Sequence, residues 1–127
     1  MKPDEYVKLA CRTEYPSYRP MLERMDCSLG LMRLLHSGIG MCTEAGEFND
    51  MLKRVLYYGK EMDRVNLAEE IGDLLWYCAT ACDALGISME TVMIQNIAKL
   101  KRRYPYKFTE ADALNRNLKE ERKELES

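Results

Sequence analysis

The spacing of prolines is the feature that most constrains the fold. The prolines stand at positions 3, 16, 20 and 105, so residues 21–104 contain none. Such a stretch, without the alternation of apolar and polar residues that marks strands, favours helices. Residues with capping chemistry divide it. Gly59 and Gly86 are suited to end helices, and Asp63 and Ser88 are suited to begin the helices that follow.

These signals predict an all-α fold, an antiparallel helix bundle. The expected helices cover residues 4–13, 20–36, 39–58, 64–85, 89–104 and 110–125. Thr109 with Asp112 three residues later resembles a capping box at the start of the last one. The 127 residues suffice for one domain, so we expect a single domain over residues 1–127, with its core at about 20–112 and its C-terminal helix at about 110–125.

Composition excludes several classes of partner. The chain carries 19 basic and 21 acidic residues, a formal net charge of -2, whereas a general nucleic-acid coat needs a basic excess. The longest apolar run, residues 74–79, is far shorter than the roughly 20 residues of a membrane span, and the N-terminus lacks a signal peptide's apolar region. Five cysteines without a Cys-x-x-Cys pair argue against disulfides and structural zinc, and predict a cytoplasmic protein.

Two acid pairs with matching spacing carry the chemistry. Glu44 and Glu47 are three residues apart, as are Glu70 and Asp73, and each pair encloses a glycine. Residues three apart share a helix face, so each pair presents two carboxylates side by side. The intervening turn at residues 59–63 predicts that the two helices run antiparallel.

The helical positions of these acids point to a metal. At about 100° per residue, Glu70 and Asp73 border an apolar stripe that includes Ile71 and Leu85, with Asn66 and Tyr77 on the same edge. Acids beside an apolar face are costly to desolvate unless they are paired or bind a cation. Oxygen-only donors suit Mg²⁺, with Mn²⁺ as a possible substitute. The alternative is that the four are ordinary surface acids of two amphipathic helices.

A basic segment follows further along the chain. No acid occurs between Lys99 and Lys107, and Asn96, Lys99 and Arg103 share one helix face. Such a face suits phosphate oxygens, although a solvated helix end explains the segment equally well. Lys53 is a further candidate for phosphate binding. Trp76 is a candidate for contact with a base, as are the aromatic or imidazole rings at positions 36, 77 and 108.

The runs Gly40-Met-Cys-Thr-Glu-Ala-Gly-Glu47, Asp63-Arg-Val-Asn-Leu-Ala-Glu-Glu-Ile-Gly-Asp-Leu-Leu-Trp-Tyr77 and Asn96-Ile-Ala-Lys-Leu-Lys-Arg-Arg-Tyr-Pro105 share an order and spacing with a known family. The chain resembles the MazG-like nucleoside triphosphate pyrophosphohydrolases over roughly residues 30–112, most of all the short, single-domain versions of phages and bacteria. The resemblance implies the all-α NTP pyrophosphatase fold. It also implies a homodimer or homotetramer with sites near subunit interfaces, in the cytoplasm of a bacterium or of a phage-infected host.

The resemblance implies further that Glu44, Glu47, Glu70 and Asp73 bind Mg²⁺ and serve the catalytic reaction. Lys53, Asn96, Lys99 and Arg103 match nucleotide-binding positions. The implied reaction is Mg²⁺-dependent hydrolysis of a (d)NTP to the monophosphate and pyrophosphate by a metal-assisted water. Longer family members carry a glutamate where this chain has Thr43, which leaves the choice of Glu44 or Glu47 as general base open.

Two alternatives stand beside this interpretation. The first is an enzyme with a narrow base preference, such as a dUTPase or dCTPase that sanitises the nucleotide pool. The second is a catalytically idle module that binds a nucleotide or a partner helix. The intact set of four acids favours an enzyme.

Overall fold

The computed structural model describes residues 1–126, which form seven helices and no strand. The predicted all-α fold is therefore confirmed. No helix in this part of the chain combines the length and the apolar character needed to cross a membrane. The helices are α1 (Pro3–Cys11), α2 (Arg19–Asp26), α3 (Leu29–Tyr58), α4 (Arg64–Leu85), α5 (Met89–Arg103), α6 (Glu110–Leu114) and α7 (Leu118–Glu126).

The ends of α3, α4 and α5 follow the predicted capping chemistry. Gly59 ends α3 with a φ of 62° and Gly86 ends α4 with a φ of 69°, a left-handed conformation that glycine adopts without steric cost. The Asp63 carboxylate accepts from the backbone N–H groups of residues 65 and 66, both at 3.0 Å, and begins α4. The Ser88 hydroxyl accepts from the backbone N–H of residue 91 at 3.0 Å and begins α5.

Helices α3 and α4 pack against each other as an antiparallel pair held by polar contacts at regular intervals. Arg33 Nη2 lies 2.5 Å from Asp83 Oδ2. One turn further along α3, the Ser37 and Thr80 hydroxyls are 2.9 Å apart, and Ser37 is only 2% exposed. Each step advances by three or four residues on both helices, so the contacts fix which residues of α3 and α4 face each other.

The closest approach of the two helices lies one turn beyond, at Gly40 and Tyr77. A Cβ atom on Gly40 would overlap the Tyr77 ring. The ring has little freedom to move aside, because it packs edge-on against His36 and Trp76, with centroid separations of 5.7 Å and 4.9 Å. Gly40 is therefore needed for the close packing of the pair.

The predicted division into helices 20–36 and 39–58 is wrong. Helix α3 runs without a break from Leu29 to Tyr58, through Gly38 and Gly40. The chain breaks earlier, where the Ser28 hydroxyl accepts from the backbone N–H of Leu31 at 3.2 Å and begins α3. A glycine inside a helix costs only about 1 kcal/mol, which the packing of Gly40 on Tyr77 can offset.

The prediction of a single C-terminal helix over residues 110–125 is also wrong, because the structure has two helices there, α6 and α7. Thr109 begins it as expected, because its hydroxyl accepts from the backbone N–H of Asp112 at 3.0 Å. The Asn115 amide then donates to the carbonyl of residue 111 at 2.9 Å, and the helix ends. The turn at residues 115–117 directs α7 back against α5, which a continuous helix could not reach.

An ion-pair cluster fastens α7 to α5. Glu121 is 4% exposed and accepts from Arg103 Nη2 at 2.6 Å and from Arg116 Nη2 at 2.7 Å. Hydrogen bonds from Arg103 and then Arg116 lower the pKa of Glu121 to about 2, against an ordinary value of 4.5. Glu121 therefore stays ionised at neutral pH and forms ion pairs with both Arg103 and Arg116.

Most large apolar side chains of the described residues remain partly or largely exposed to solvent. None of its hydrophobic residues is fully buried, and Ile71 and Leu85, expected in the apolar stripe of α4, are 53% and 64% exposed. Leu74 on the same helix is only partly buried, so α3 covers the apolar side chains of α4 incompletely. The accessible surface is 10,729 Å², whereas a compact monomer of this mass exposes about 7,000 Å².

We expect Gly40→Ala to lower the free energy of unfolding by about 1–3 kcal/mol, because the added methyl group must displace the Tyr77 ring. Gly46→Ala, on the same helix, is the matched control, since a Cβ atom there meets nothing within 4 Å. It should leave stability unchanged or raise it by up to about 1 kcal/mol through helix propensity. Urea unfolding followed by circular dichroism measures both, and equal effects would contradict the packing argument.

Candidate metal centre

Three of the four predicted acids come together between α3 and α4. Glu44, Glu47 and Glu70 each offer a carboxylate oxygen, and these three oxygens lie within 4.8 Å of one another. Glu44 and Glu47 share a face of α3 because they are three residues apart. The series of contacts between α3 and α4 described above aligns this face with Glu70 on α4. We call Glu44, Glu47 and Glu70 the three-carboxylate group.

Glu70 is the most buried member and has the clearest electrostatic signature. It is 6% exposed, and desolvation raises the pKa of its carboxyl group. The Asn66 amide opposes that shift by donating to Glu70 Oε1 at 2.8 Å, while the charges of Glu47 and Glu44 raise the pKa further. At neutral pH a carboxylate in this position costs free energy, which a bound cation would recover.

The donor set fits a hard divalent cation. All three side chains offer carboxylate oxygens, the ligands that Mg²⁺ and Mn²⁺ prefer. Within residues 1–126, no lysine or arginine forms an ion pair with Glu44, Glu47 or Glu70. Among the described residues, the hydrogen bonds that reach them come from Thr43 to Glu44 at 3.2 Å and from Asn66 to Glu70. Their charge is thus left for a cation to balance.

Asp73, the fourth predicted acid, lies outside the three-carboxylate group. It follows Glu70 by three residues on α4 and is exposed. Trp76 lies one turn beyond Asp73, 56% exposed, with its ring edge-on to Tyr77. Metal binding by Asp73 and base contact by Trp76 stay predictions.

A cavity of about 560 Å³ opens beside the acids. Arg54 is the one basic residue among the described residues that line it, and the sequence interpretation missed this residue. The signal was present, because Arg54 follows Glu47 by seven residues and therefore lies on the same face of α3. The lining consists of Thr43, Gly46, Glu47, Asp50, Met51, Arg54, Asn66 and Glu70.

A second, smaller cavity of about 300 Å³ lies beside Glu44 and Glu70 and is largely apolar. Its walls come from both helices of the pair, with Phe48 on α3 and Leu74 on α4. The three-carboxylate group therefore lies between a polar cavity, whose wall includes Arg54, and an apolar one.

The basic residues of α5 line neither of these two cavities. Arg103 donates hydrogen bonds to Glu121, and these, together with a hydrogen bond to Tyr104, raise the pKa of its guanidinium group. Lys99 is half-buried and Asn96 is exposed on the same helix. Lys53, on α3, is exposed and is absent from both cavity walls. Substrate contacts by these four residues stay predictions.

The fold and site together define an all-α protein in which an antiparallel helix pair brings Glu-x-x-Glu and Glu-x-x-Asp elements together. The family model described as "MazG nucleotide pyrophosphohydrolase domain" matches residues 39–108, more than half of the chain. The chain therefore belongs to the MazG nucleotide pyrophosphohydrolase family, and the resemblance seen in the sequence is confirmed.

Among curated proteins, the chain is similar to "Gene 37 protein" of Mycobacterium phage L5, with 30% identity over 82 residues. The match covers 61% of this chain and 71% of the phage protein. No solved structure matches the chain at a significant level.

We expect Glu70→Gln to weaken Mn²⁺ binding at least tenfold, because it removes one charged oxygen ligand from the three-carboxylate group. Without metal, the same change should raise the melting temperature at pH 7, because it removes the carboxylate whose raised pKa opposes folding there. Isothermal titration calorimetry and thermal unfolding measure the two effects. Glu69→Gln, at the adjacent exposed position, is the matched control. An equal loss of affinity in both variants would contradict the assignment.

Proposed function

We propose that this protein is a Mg²⁺-dependent nucleoside triphosphate pyrophosphohydrolase that converts a (d)NTP to the (d)NMP and pyrophosphate. The observation that carries the proposal is the three-carboxylate group, which lies within the segment that matches the MazG domain. Its members come from two helices, and none of them forms an ion pair with a basic residue in the described part of the chain, which leaves their oxygens available to a metal. A cytoplasmic location is part of the proposal, supported by five cysteines without disulfide spacing.

In this proposal, Glu44, Glu47 and Glu70 hold the cation, with Asp73 as a fourth ligand. Mg²⁺, when bound, offsets the charge of the phosphates and polarises water. Asn66 fixes the orientation of Glu70 through its 2.8 Å hydrogen bond. Glu47 is more exposed than Glu44, so its carboxylate is better placed to meet a substrate that enters from solvent.

The reaction needs a general base and a leaving group. The carboxylate of Glu44 or Glu47 accepts a proton from a water that attacks the α-phosphorus. The bond from that phosphorus to the oxygen bridging the α- and β-phosphates breaks, and pyrophosphate leaves with the electron pair. Lys53, Asn96, Lys99 and Arg103 are proposed nucleotide contacts, supported by family membership. Trp76 supplies an exposed aromatic face for the base.

We also propose that the protein works as a homodimer or homotetramer. The exposed surface exceeds that of a compact monomer by an amount typical of large subunit interfaces. An apolar groove of about 500 Å³ runs along α3, lined by Leu34, Leu35, Gly38, Ile39, Cys42 and Thr43. A second copy of the chain would shelter the groove and the exposed side chain of Ile71.

The function is tested with a panel of ribo- and deoxynucleoside triphosphates, in Mg²⁺, in Mn²⁺ and with chelator. We expect monophosphate and pyrophosphate in equal amounts, only with divalent cation, and a loss of kcat of at least about 100-fold in Glu70→Gln. Glu69→Gln should retain activity. Hydrolysis of dUTP or dCTP alone would establish the alternative of an enzyme with a narrow base preference. Nucleotide binding without any product would refute hydrolysis and support the idle module.

The assembly is tested by sedimentation equilibrium. We expect a mass of two or four chains for the native protein, and Ile39→Arg should shift it toward the monomer, because a buried charge in an apolar interface is costly. Leu114→Arg puts the same charge on α6, at a side chain that is 84% exposed, and should leave the mass unchanged. A native monomer at micromolar concentration would contradict the proposal.

A further inference from the structure

We propose that Arg54 binds the phosphate groups of the substrate in the 560 Å³ cavity beside Glu47 and Glu70. This proposal rests on the proposed function, since it names the residue that recognises the phosphates there. It differs from the sequence interpretation, which assigned that role to Lys53 and to the basic face of α5.

Helix geometry separates Arg54 from its neighbour Lys53. Glu47 and Arg54 are seven residues apart, which at about 100° per residue returns the side chain to the same face of α3. Lys53 follows Glu47 by six residues and lies about 120° away around the helix. The structure agrees, because Arg54 lines the cavity and Lys53 does not.

Asp50 positions the Arg54 guanidinium and leaves it able to bind an anion. The Nε and Nη2 atoms of Arg54 approach one oxygen, Asp50 Oδ2, at 2.8 Å and 2.7 Å. A guanidinium has five N–H donors, so others remain free for phosphate oxygens. The Arg54 side chain is 58% exposed, so a ligand that enters from solvent can reach it. Asp50 acts here as a positioning residue.

The charges that line the cavity make Arg54 its candidate phosphate-binding residue. The lining contains three carboxylates, those of Glu47, Asp50 and Glu70, and one cation, Arg54. A metal held by the three-carboxylate group would reduce the repulsion between these acids and a triphosphate. Arg54 is then the one lining group that donates charge-assisted hydrogen bonds to phosphate. Arg103 on α5 differs in its exposure, because its side chain is ion-paired with Glu121 and only 16% exposed, and it does not line this cavity.

The test compares Arg54→Gln and Arg54→Lys with a matched arginine. Arg122 forms the same kind of ion pair, four residues from Glu126 on α7, and lies outside the cavity, so Arg122→Gln is the control. Isothermal titration calorimetry with Mg²⁺ measures binding of inorganic pyrophosphate and of the α,β-methylene analogue of dUTP. Steady-state kinetics measures kcat and KM for dUTP and dCTP.

We expect Arg54→Gln to weaken binding of both probes by roughly 10–100-fold and to raise KM more than it lowers kcat. Arg54→Lys should recover part of the affinity, because it keeps the charge but loses the planar fork. Mn²⁺ affinity should change by less than about threefold, which separates loss of phosphate binding from loss of the metal site.

Several results would overturn the assignment. One is probe affinity in Arg54→Gln equal to that in Arg122→Gln. Another is a larger loss in Lys53→Gln than in Arg54→Gln, which would return the role to Lys53. If the native protein binds the dUTP analogue but hydrolyses no triphosphate, the proposed function fails while the binding comparison still decides the role of Arg54.

Discussion

The packing of α3 on α4 is the constraint on which the rest of the structure depends. Gly40 admits the Tyr77 ring, and the Ser37–Thr80 hydrogen bond lies one turn away at 2.9 Å. Because these contacts recur every three or four residues, a change of register would separate every pair at once. The same register brings Glu70 to Glu44 and Glu47. The helix pair is thus both the scaffold and the source of the three-carboxylate group.

That arrangement places opposing demands on stability. Glu70 is nearly buried, and its raised pKa shows that the fold accepts an unfavourable carboxylate in order to form the three-carboxylate group. The pair also leaves apolar side chains such as Ile71 open to solvent. A bound cation and a second subunit would relieve these two costs separately. Metal binding and assembly, as proposed, would therefore both stabilise the fold through the same two helices.

Local signals in the sequence were reliable where they act within one turn. Gly59 and Gly86 end their helices because glycine adopts the left-handed conformation without steric cost. Asp63 begins α4 because its carboxylate accepts from backbone N–H groups of the first turn. The break expected near residues 36–39 fails because the helix propensity of glycine is a small term that packing on Tyr77 outweighs. The division of the C-terminal helix depends on Glu121 meeting Arg103, eighteen residues away, which no local pattern encodes.

The sequence by itself determined the helical class, the main caps, the family and the two acid pairs, since these follow from residue type and short spacing. Only the tertiary structure decided the rotation of α4, which brings Glu70 inward and leaves Asp73 exposed. It also decided that Arg103 forms an ion pair with Glu121 while Arg54 lines the cavity beside the acids. The physical reason is that these outcomes depend on which faces of distant helices meet, and that is set by close packing and long-range ion pairs.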